Sequence, residues 1–268
     1  MIDIHTHLLP GVDDGARTLE QSLGVLTRFV EAGVTCVVCT PHLAASEADR
    51  MPTEKYIRLH RELCEQIPSS LTVQRGWEIM LDFPGVDLTS AHLRLGASNA
   101  ILVEFPRGPL PSGTELELQR LRQSGVLPVV AHPERYGGAS LELVARWRAA
   151  GAIIQTDTAY LLGDGDRSVL ARGMLQEGLI DILASDNHGD DRSLWAAHEW
   201  LIEIGATDAS HLLTTVNPGS LLSDQRLVPV PPVQLDKGMF ARLRELIGLK
   251  RGTSPRETRQ PERMDAQG

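Results

Sequence analysis

Two histidines one residue apart, His5 and His7, end a short apolar run at the start of the chain. Alternate residues of a strand point to the same side, so a strand through this run projects both imidazoles in one direction. Neutral imidazole is a common ligand for zinc, manganese and iron. Two surface histidines in a loop would give the same pattern, so the rest of the chain must decide between the two interpretations.

Histidines and carboxylates recur at the ends of later apolar runs of strand length. These residues are His42, Glu78, Glu104, His132, Asp186 and His188, with Asp13 and Asp14 in the loop after the first strand. Strand six lacks an obvious ligand and ends at Asp157. In a β/α barrel the carboxyl ends of all strands face one site, and a catalytic ion takes about three protein ligands. The number of histidines and carboxylates predicts a site for two or three divalent ions. The positive charge of the ions would allow so many carboxylates to share one cleft.

The strands that must carry these residues alternate with amphipathic segments. Runs of strand length occur at 2–4, 34–40, 71–77, 100–103, 127–131, 152–155 and 180–184. Continuous apolar strands that alternate with helices indicate a parallel sheet covered on both sides. Seven of them predict an α/β fold in the form of a closed or nearly closed β/α barrel.

Capping signals predict where the helices begin and end. Thr18 and Gln21 resemble a capping box, and Gly33 ends that helix. Thr53 is predicted to cap a second helix to about residue 66, and Asn217 to cap a short one that opens with a proline. Further helices are expected over 115–124, 141–150 and 167–177. We expect a single domain over 1–249 and a polar, disordered tail over 250–268.

Composition narrows the class of protein. The chain has 268 residues, 42% hydrophobic and 23% charged, which suits one β/α barrel. No apolar stretch reaches the length of a membrane span and we expect no signal peptide, so the expected location is cytoplasmic without membrane insertion. The net charge of −9 argues against nucleic-acid binding. It does not exclude a phosphorylated substrate, because bound cations reverse the local field.

The remaining histidines and the cysteines are predicted to be structural. The three cysteines, an odd number, argue for a reducing compartment rather than a disulfide framework. Cys36 and Cys39 could be a metal or redox pair, but they lie in an apolar run where cysteine behaves as a buried hydrophobe. Four histidines do not end a strand and are expected to be structural or exposed: His60, His92, His198 and His211.

The opening segment, His-Thr-His-Leu-Leu-Pro-Gly-Val-Asp-Asp-Gly at 5–15, resembles the PHP (polymerase and histidinol phosphatase) superfamily. More narrowly, it resembles the CpsB/YwqE-type bacterial protein tyrosine phosphatases. The match continues in order through Thr-Pro-His at 40–42, Gly-Trp-Glu-Ile at 76–79, Glu-Phe-Pro at 104–106, His-Pro-Glu-Arg at 132–135, Ser-Asp-Asn-His at 185–188 and Val-Asn-Pro-Gly-Ser-Leu-Leu at 216–222. The resemblance therefore covers about residues 1–222.

This resemblance implies a distorted (β/α)7 TIM-like barrel, the PHP fold, with a trinuclear site that usually holds manganese and otherwise iron or zinc. The positions that match its metal ligands are His5, His7, Asp14, His42, Glu78, Glu104, His132, Asp186 and His188. Arg135 matches an arginine beside the phosphate, and Arg192 is a second candidate. Asp186 is also a candidate to protonate the leaving group. The implied partner is a bacterial tyrosine kinase that controls capsule or exopolysaccharide synthesis.

Two loops depart from the family pattern. Residues 43–46 lack the second basic residue that often follows the strand-two histidine, and residues 157–160 lack a polar serine run. Both loops border the expected site, so the specificity for the leaving group stays open. A phosphomonoesterase acting on histidinol phosphate or a sugar phosphate is therefore one alternative, and a non-catalytic metal-bound regulator is another. The oligomeric state is not predicted.

The sequence favours metal-activated water over a covalent route. A Cys-x5-Arg phosphatase motif is absent, because the sixth residues after the three cysteines are His42, Ala45 and Ser70. The chain also lacks a Gly-x-Ser-x-Gly elbow and a Walker loop. Phosphoryl transfer would then depend on metal-activated water, with cations and Arg135 neutralising the phosphate charge.

Overall fold

The computed structural model describes residues 1–235, which form parallel strands that alternate with helices. The strands are β1 (Ile2–Thr6), β2 (Cys36–Cys39), β3 (His42–Ala44), β4 (Thr72–Arg75), β5 (Glu78–Met80), β6 (Ala100–Glu104), β7 (Leu127–Val130), β8 (Ile153–Asp157) and β9 (Ile182–Ala184). The helices are α1 (Leu19–Glu31), α2 (Thr53–Cys64), α3 (Thr114–Gln123), α4 (Leu141–Ala149), α5 (Thr158–Leu162), α6 (Asp166–Gln176), α7 (Leu194–Glu203), α8 (Thr207–His211) and α9 (Asn217–Leu222). The predicted tail at 250–268 and the end of the predicted domain, 236–249, lie outside the described residues.

All strand pairs are parallel, in the orders β1-β2-β4 and β3-β5-β6-β7-β8-β9. Only two residues separate β2 from β3, and only two separate β4 from β5. These segments therefore continue one another across short breaks, and the described strands occupy seven positions around the sheet. The predicted seven-stranded α/β architecture is confirmed.

Backbone hydrogen bonds join the first strand to the segment after the last. The amide of Asp186 donates to the carbonyl of His5 at 3.0 Å, and the amide of His7 donates to the carbonyl of Asn187 at 2.8 Å. β1 is thus bonded to β2 on one side and to the end of β9 on the other. The ring of strands closes next to the His-x-His motif.

A β-bulge interrupts β1 at the point where the core gives way to the rim. Asp3 is aligned with Val37, and Thr6 is aligned with Cys39. Between these two aligned pairs, β1 therefore contains one residue more than β2. A bulge of this kind re-aims the side chains that follow it. Ile4 packs in the interior apolar cluster, while the next side chain, His5, is hydrogen-bonded at the rim.

Apolar side chains fill the barrel below this rim and the layer between the strands and the first two helices. The interior cluster consists of Ile4, Val38, Leu95, Ala100, Leu102, Val129, Ala131, Ile182, Ala184 and Leu221. The outer cluster buries the inner faces of α1 and α2 through Val25, Leu26, Phe29 and Leu63. Cys36 and Cys39 are free and buried within β2, as predicted. No helix within residues 1–235 combines the length and the apolar content that a membrane span requires.

The predicted helix starts agree with the structure at α1 and differ at α2. The Thr18 hydroxyl accepts a hydrogen bond from the Gln21 amide at 3.2 Å, which confirms this cap. Thr53 does not cap α2, because it is already the first helical residue and follows Pro52 at the cap position. Its hydroxyl instead donates to the carbonyl of Met51.

The prediction that Asn217 caps a new helix is wrong. The chain is already helical from α8 through a π-helix at Leu212–Val216, so α9 continues that path. The Asn217 side chain is buried and holds two distant segments, because its amide nitrogen donates to the carbonyls of Asp181 and Val228. Its side-chain oxygen accepts a hydrogen bond from the amide of Val228. Asn217 therefore links the segments around Asp181 and Val228 and does not cap a helix.

Candidate metal centre

The nine predicted ligands lie together at the carboxyl ends of the strands. They form four overlapping groups whose potential ligand atoms lie within 4.8 Å of one another. The groups are His5 with His7 and Asp186; His5 with Glu78 and His132; His42 with Glu78 and Glu104; and His7 with Asp14, His42 and His188. Every predicted ligand belongs to at least one group.

The innermost ligand atoms lie at distances expected of ligands that share one ion. The Nε2 atoms of His5 and His7 lie 3.2 Å apart. His5 Nε2 lies 3.4 Å from Glu78 Oε2 and 3.2 Å from Asp186 Oδ1, and His7 Nε2 lies 3.3 Å from both oxygens. Four atoms bound tetrahedrally at about 2.0–2.1 Å from one ion are about 3.3–3.4 Å apart. The five distances that join His5 and His7 to each other and to the two carboxylates match this spacing, so each carboxylate together with the two imidazoles fits a divalent ion.

Glu78, at the start of β5, connects the groups. One carboxylate oxygen, Oε1, lies 2.6 Å from His132 Nε2. The other, Oε2, lies 2.9 Å from His42 Nδ1 and also faces His5 and His7. A single fully buried carboxylate thus contacts four imidazoles, and its two oxygens face different groups.

Two buried oxygens at the centre lie close to imidazole nitrogens but form no hydrogen bond of adequate geometry. They are Glu78 Oε2 and Asp186 Oδ1, the carboxylate atoms that face the Nε2 atoms of both His5 and His7. A buried polar atom without a partner is costly, and bound ions are one way to compensate it. Imidazole nitrogens combined with carboxylate oxygens suit manganese, iron and zinc. The donor set therefore fits the metal ions that the family implies.

Two residues outside the ligand set orient the His-x-His pair. Asp13 Oδ2 lies 2.7 Å from His7 Nδ1, and Gln155 Oε1 lies 3.0 Å from His5 Nδ1. Each contact engages the nitrogen that faces away from the group and leaves Nε2 for an ion. The sequence marks Asp13 only as one more carboxylate and assigns no role to Gln155. A polar residue inside the apolar run of strand six was the available signal for it.

The outer group is more open. The Asp14 side chain is 59% exposed, and its Oδ1 lies 3.2 Å from His42 Nε2 and 3.4 Å from His188 Nε2. His42 therefore faces this group with Nε2 and the Glu78 group with Nδ1. A neutral imidazole binds an ion through one nitrogen, so His42 can serve only one of the two groups at a time.

Both predicted arginines converge on one oxygen of Asp186. Arg135 Nη1 donates to Asp186 Oδ2 at 2.9 Å, and Arg192 Nη1 donates to the same oxygen at 3.0 Å. Arg192 is also held by Asp190 at 2.8 Å. Asp186 thus faces the metal group with Oδ1 and the arginines with Oδ2. Two guanidinium groups thus lie directly beside the ligand cluster.

Two of the predicted ligands occupy a strained backbone conformation. Among the described residues three non-glycine residues have positive φ, and two of them are His132 (φ 34°) and Asp186 (φ 48°). This left-handed region is disfavoured for residues with a Cβ, and it is often occupied at functional sites. Both residues follow the end of a strand, β7 or β9, where the strain turns the side chain onto the rim.

Carboxylates and imidazoles shift one another's pKa in the absence of ions. Burial lowers the pKa of His5, but Glu78 and Asp186 outweigh it and raise the pKa to about 9. Burial likewise lowers that of His42, yet Glu104 and Glu78 raise it to about 10. Burial raises the pKa of Glu78, whereas His5 and His132 bring it well below its ordinary range. The metal-free cluster therefore holds protons that an incoming ion must displace.

These shifts predict the pH dependence of the metal-stripped protein. A histidine with a raised pKa stabilises the fold fully below its unfolded pKa, and this contribution is lost as pH passes its folded pKa. For His5 and His42 that window runs from 6.5 to about 9 and about 10. We expect the melting temperature in chelator to fall between pH 6.5 and pH 10, as measured by circular dichroism. The melting temperature of the metal-loaded protein should fall less over the same pH range. A melting temperature that rises in chelator over this range would contradict the prediction.

Residues predicted to be structural lie apart from this cluster. His60 Nε2 contacts the Val73 carbonyl at 2.9 Å, and His198 contacts the hydroxyls of Ser210 and Thr214. Neither they nor His92 and His211 belong to a candidate metal group in residues 1–235.

Asp3 is a carboxylate that the sequence did not single out. It is fully buried and accepts hydrogen bonds from the amides of His5 and Ser185. It therefore helps to fix the closure of β1 on β9.

A family model and curated relatives match this chain over most of its length. The model for capsular polysaccharide synthesis, CpsB/CapC, matches residues 1–223. The tyrosine-protein phosphatase YwqE of Bacillus subtilis is 30% identical over 246 residues, which cover 87% of this chain and 95% of that protein. The tyrosine-protein phosphatase CpsB of Streptococcus pneumoniae is 26% identical over 243 residues, which cover 84% of this chain and 99% of that protein.

Solved structures agree with this similarity. A crystal structure from work on YwqE of Bacillus subtilis and CpsB of Streptococcus pneumoniae, described as metal-dependent tyrosine phosphatases, superposes with a TM-score of 0.73 at 28% identity. It covers 88% of this chain and 100% of that one. The phosphotriesterase homology protein of Escherichia coli superposes with a TM-score of 0.50 at 14% identity, over 82% of this chain and 98% of that one, which shows a shared fold alone.

Proposed function

The chain belongs to the CpsB/CapC family of capsular polysaccharide synthesis, and we propose on that basis that it is a metal-dependent protein tyrosine phosphatase. The observation that carries the proposal is the cluster of nine histidines and carboxylates on one rim, with two arginines directly beside it. Relatives with comparable coverage are tyrosine phosphatases by name. The family and this cluster together favour phosphate-ester hydrolysis over a purely structural role.

The proposed ligands would hold two or three divalent ions, with manganese as the first candidate and iron or zinc as alternatives. They are His5, His7, Asp14, His42, Glu78, Glu104, His132, Asp186 and His188. When bound, the ions would supply an activated water nucleophile near neutral pH and positive charge for the phosphoryl oxygens. The four groups share members, since His5, His7, His42 and Glu78 each belong to two of them, and this overlap supports neighbouring ions and not separate ones.

Arg135 and Arg192 are the proposed phosphate-binding residues. The guanidinium group is a planar fork that matches two oxygens of a phosphate. Both side chains are partly exposed, and both point at Asp186 Oδ2 from the side opposite its metal-facing oxygen. A phosphoryl group between the arginines and the ligand cluster would therefore have positive charge on two sides.

Asp186 is better suited to binding than to proton donation. Burial raises its pKa, but His5, His7 and His132 hold the pKa well below its usual range, so the carboxylate is ionised. Its two oxygens then serve a metal and the two arginines. Phenolate has a free pKa of about 10 and leaves without a strong acid, so a phosphotyrosine substrate does not require Asp186 to give up a proton.

The proposed partner is a phosphotyrosine-bearing protein in the cytoplasm, in particular a bacterial tyrosine kinase that controls capsule or exopolysaccharide synthesis. Membership in a capsular polysaccharide family supports this assignment. The small-metabolite alternative predicts the opposite preference, namely higher kcat/KM on histidinol phosphate or sugar phosphates than on phosphotyrosyl peptides. Measuring both substrate classes with one preparation separates the two proposals.

Removal and restoration of metal tests the proposal as a whole. Stripping with a chelator should reduce turnover of p-nitrophenyl phosphate and of a phosphotyrosyl peptide to the uncatalysed background. Adding back manganese, iron or zinc should restore it, since the ions supply the nucleophile. Elemental analysis of the restored protein should give two or three ions per chain. If no divalent ion restores hydrolysis of either substrate, the proposed function is wrong.

A further inference from the structure

β8 is the strand position that supplies none of the nine proposed ligands, yet it ends in buried polar residues. Gln155 and Asp157 are 0% and 1% exposed, and both lie on the side of β8 that faces the cluster. A buried amide and a buried carboxylate cost free energy unless their hydrogen bonds are satisfied. Their contacts show what this strand contributes to the site.

The two side chains form a chain of hydrogen bonds that ends at the proposed ligand His5. Gln155 Nε2 donates to Asp157 Oδ1 at 3.0 Å, and Gln155 Oε1 lies 3.0 Å from His5 Nδ1. At its other end, Asp157 Oδ2 lies 3.8 Å from Arg135 Nη1, and the Asp157 amide donates to Glu134 Oε1 at 2.8 Å. Each oxygen of the Asp157 carboxylate thus has a partner, and Glu134 holds the backbone of the same residue.

The order of donors and acceptors leaves one consistent arrangement. Asp157 Oδ1 accepts a hydrogen bond from Gln155 Nε2, so the NH2 end of the amide points towards Asp157. The amide oxygen then faces His5, which must donate its Nδ1 proton to it. Once an ion has displaced the other proton of this ring, His5 Nε2 carries the lone pair, and this is the atom that faces His7, Glu78 and Asp186.

We infer that Gln155 is a positioning residue that locks the metal-binding tautomer of His5, and that Asp157 sets the orientation of its amide. This inference rests on the proposed metal site. β8 then contributes to the centre through hydrogen bonds and not through a ligand. The neutral amide differs from the carboxylate that orients His7, so the two histidines of the His-x-His pair are held by partners of different charge.

Gln155→Met tests the contact with little change in volume. We expect metal affinity, measured by competition with a fluorescent chelator, to fall about 10- to 100-fold, the usual effect of losing a residue that orients a metal-binding histidine. At saturating metal, KM for p-nitrophenyl phosphate should stay near the wild-type value. Thr156→Val is the matched control, because Thr156 is equally buried on the same strand and its hydroxyl has no hydrogen-bond partner.

A double substitution tests the donor–acceptor order. Gln155→Glu alone places two carboxylates about 3 Å apart and should weaken both folding and metal binding. Combined with Asp157→Asn, the new amide can donate to the new carboxylate, which still accepts from His5. We therefore expect Gln155→Glu/Asp157→Asn to recover metal affinity to at least the wild-type level. A purely structural role for Gln155 predicts no such rescue.

The state of the His5 ring gives a readout that is independent of activity. In the zinc-loaded wild type and in Thr156→Val, 15N spectra of histidine should show a slowly exchanging Nδ1 proton on His5, and in Gln155→Met this proton should exchange faster. Wild-type metal affinity in Gln155→Met, with wild type and Thr156→Val active and metal-bound, would overturn the inference. If wild type itself neither binds divalent ions nor hydrolyses phosphate esters, the proposed function fails instead.

Discussion

Glu78→Gln is expected to reduce kcat/KM for phosphotyrosyl substrates by at least about 10³-fold, which corresponds to about 4 kcal/mol of transition-state stabilisation. The substitution keeps the size of the side chain and removes its charge. Glu78 contacts four imidazoles with two oxygens that face different groups, so the loss affects more than one ion. Elemental analysis of the purified variant should show fewer ions per chain than wild type.

Glu142→Gln is the control for this substitution. It makes the same chemical change on a fully exposed carboxylate in the first turn of α4 that belongs to none of the four ligand groups. Its activity and metal content should equal those of wild type. Circular dichroism must show that Glu78→Gln is folded. A folded Glu78→Gln protein with wild-type turnover and metal content would show that Glu78 is not a ligand.

Arg135→Met is expected to lower kcat/KM by about 10²- to 10³-fold while metal content stays unchanged, because it removes a charged donor beside the phosphoryl group. Arg135→Lys should recover part of the loss, since lysine keeps the charge but lacks the planar fork. Inorganic phosphate, measured as a competitive inhibitor, should bind most tightly to wild type, less tightly to Arg135→Lys and least tightly to Arg135→Met. Arg192→Met should have a smaller effect, because Arg192 is also held by Asp190.

The matched control for these variants is Arg146→Met, which removes an exposed arginine paired with Glu115 on the outer helices. Its kcat/KM and phosphate inhibition should match those of wild type. If Arg135→Met also loses its metal, the effect belongs to the ligand cluster and not to phosphate binding. Unchanged kcat/KM in Arg135→Met with full metal occupancy would remove Arg135 from the proposed phosphate site.

Most of the architecture was predictable because it depends on patterns that are local in sequence. Buried parallel strands appear in a sequence as continuous apolar runs. The carboxyl ends of such strands meet at one rim of a barrel, so strand-end residues such as Glu78 and His132 could be placed together from the sequence. The Thr18 cap was predictable for the same reason, since its signal and its partner are three residues apart.

The features that sequence reasoning missed depend on contacts between distant segments. Asn217 has the sequence of a helix cap, but its side chain ties Asp181 to Val228, and no local pattern reveals that packing. Gln155 pairs with His5 across 150 residues of chain. The bulge in β1 also escapes an alternation rule, because one extra residue changes which side chains face inward without changing the apolar pattern.

The position of Asp186 between the two arginines has a consequence for turnover. Arg135 and Arg192 already have an anionic partner in Asp186 Oδ2, so a phosphate arriving at the proposed site would compete with it. Free arginines beside divalent ions would hold inorganic phosphate tightly and slow its departure. A carboxylate that pairs with both arginines again would lower the affinity for the product, and the proposed site would be ready for the next substrate sooner.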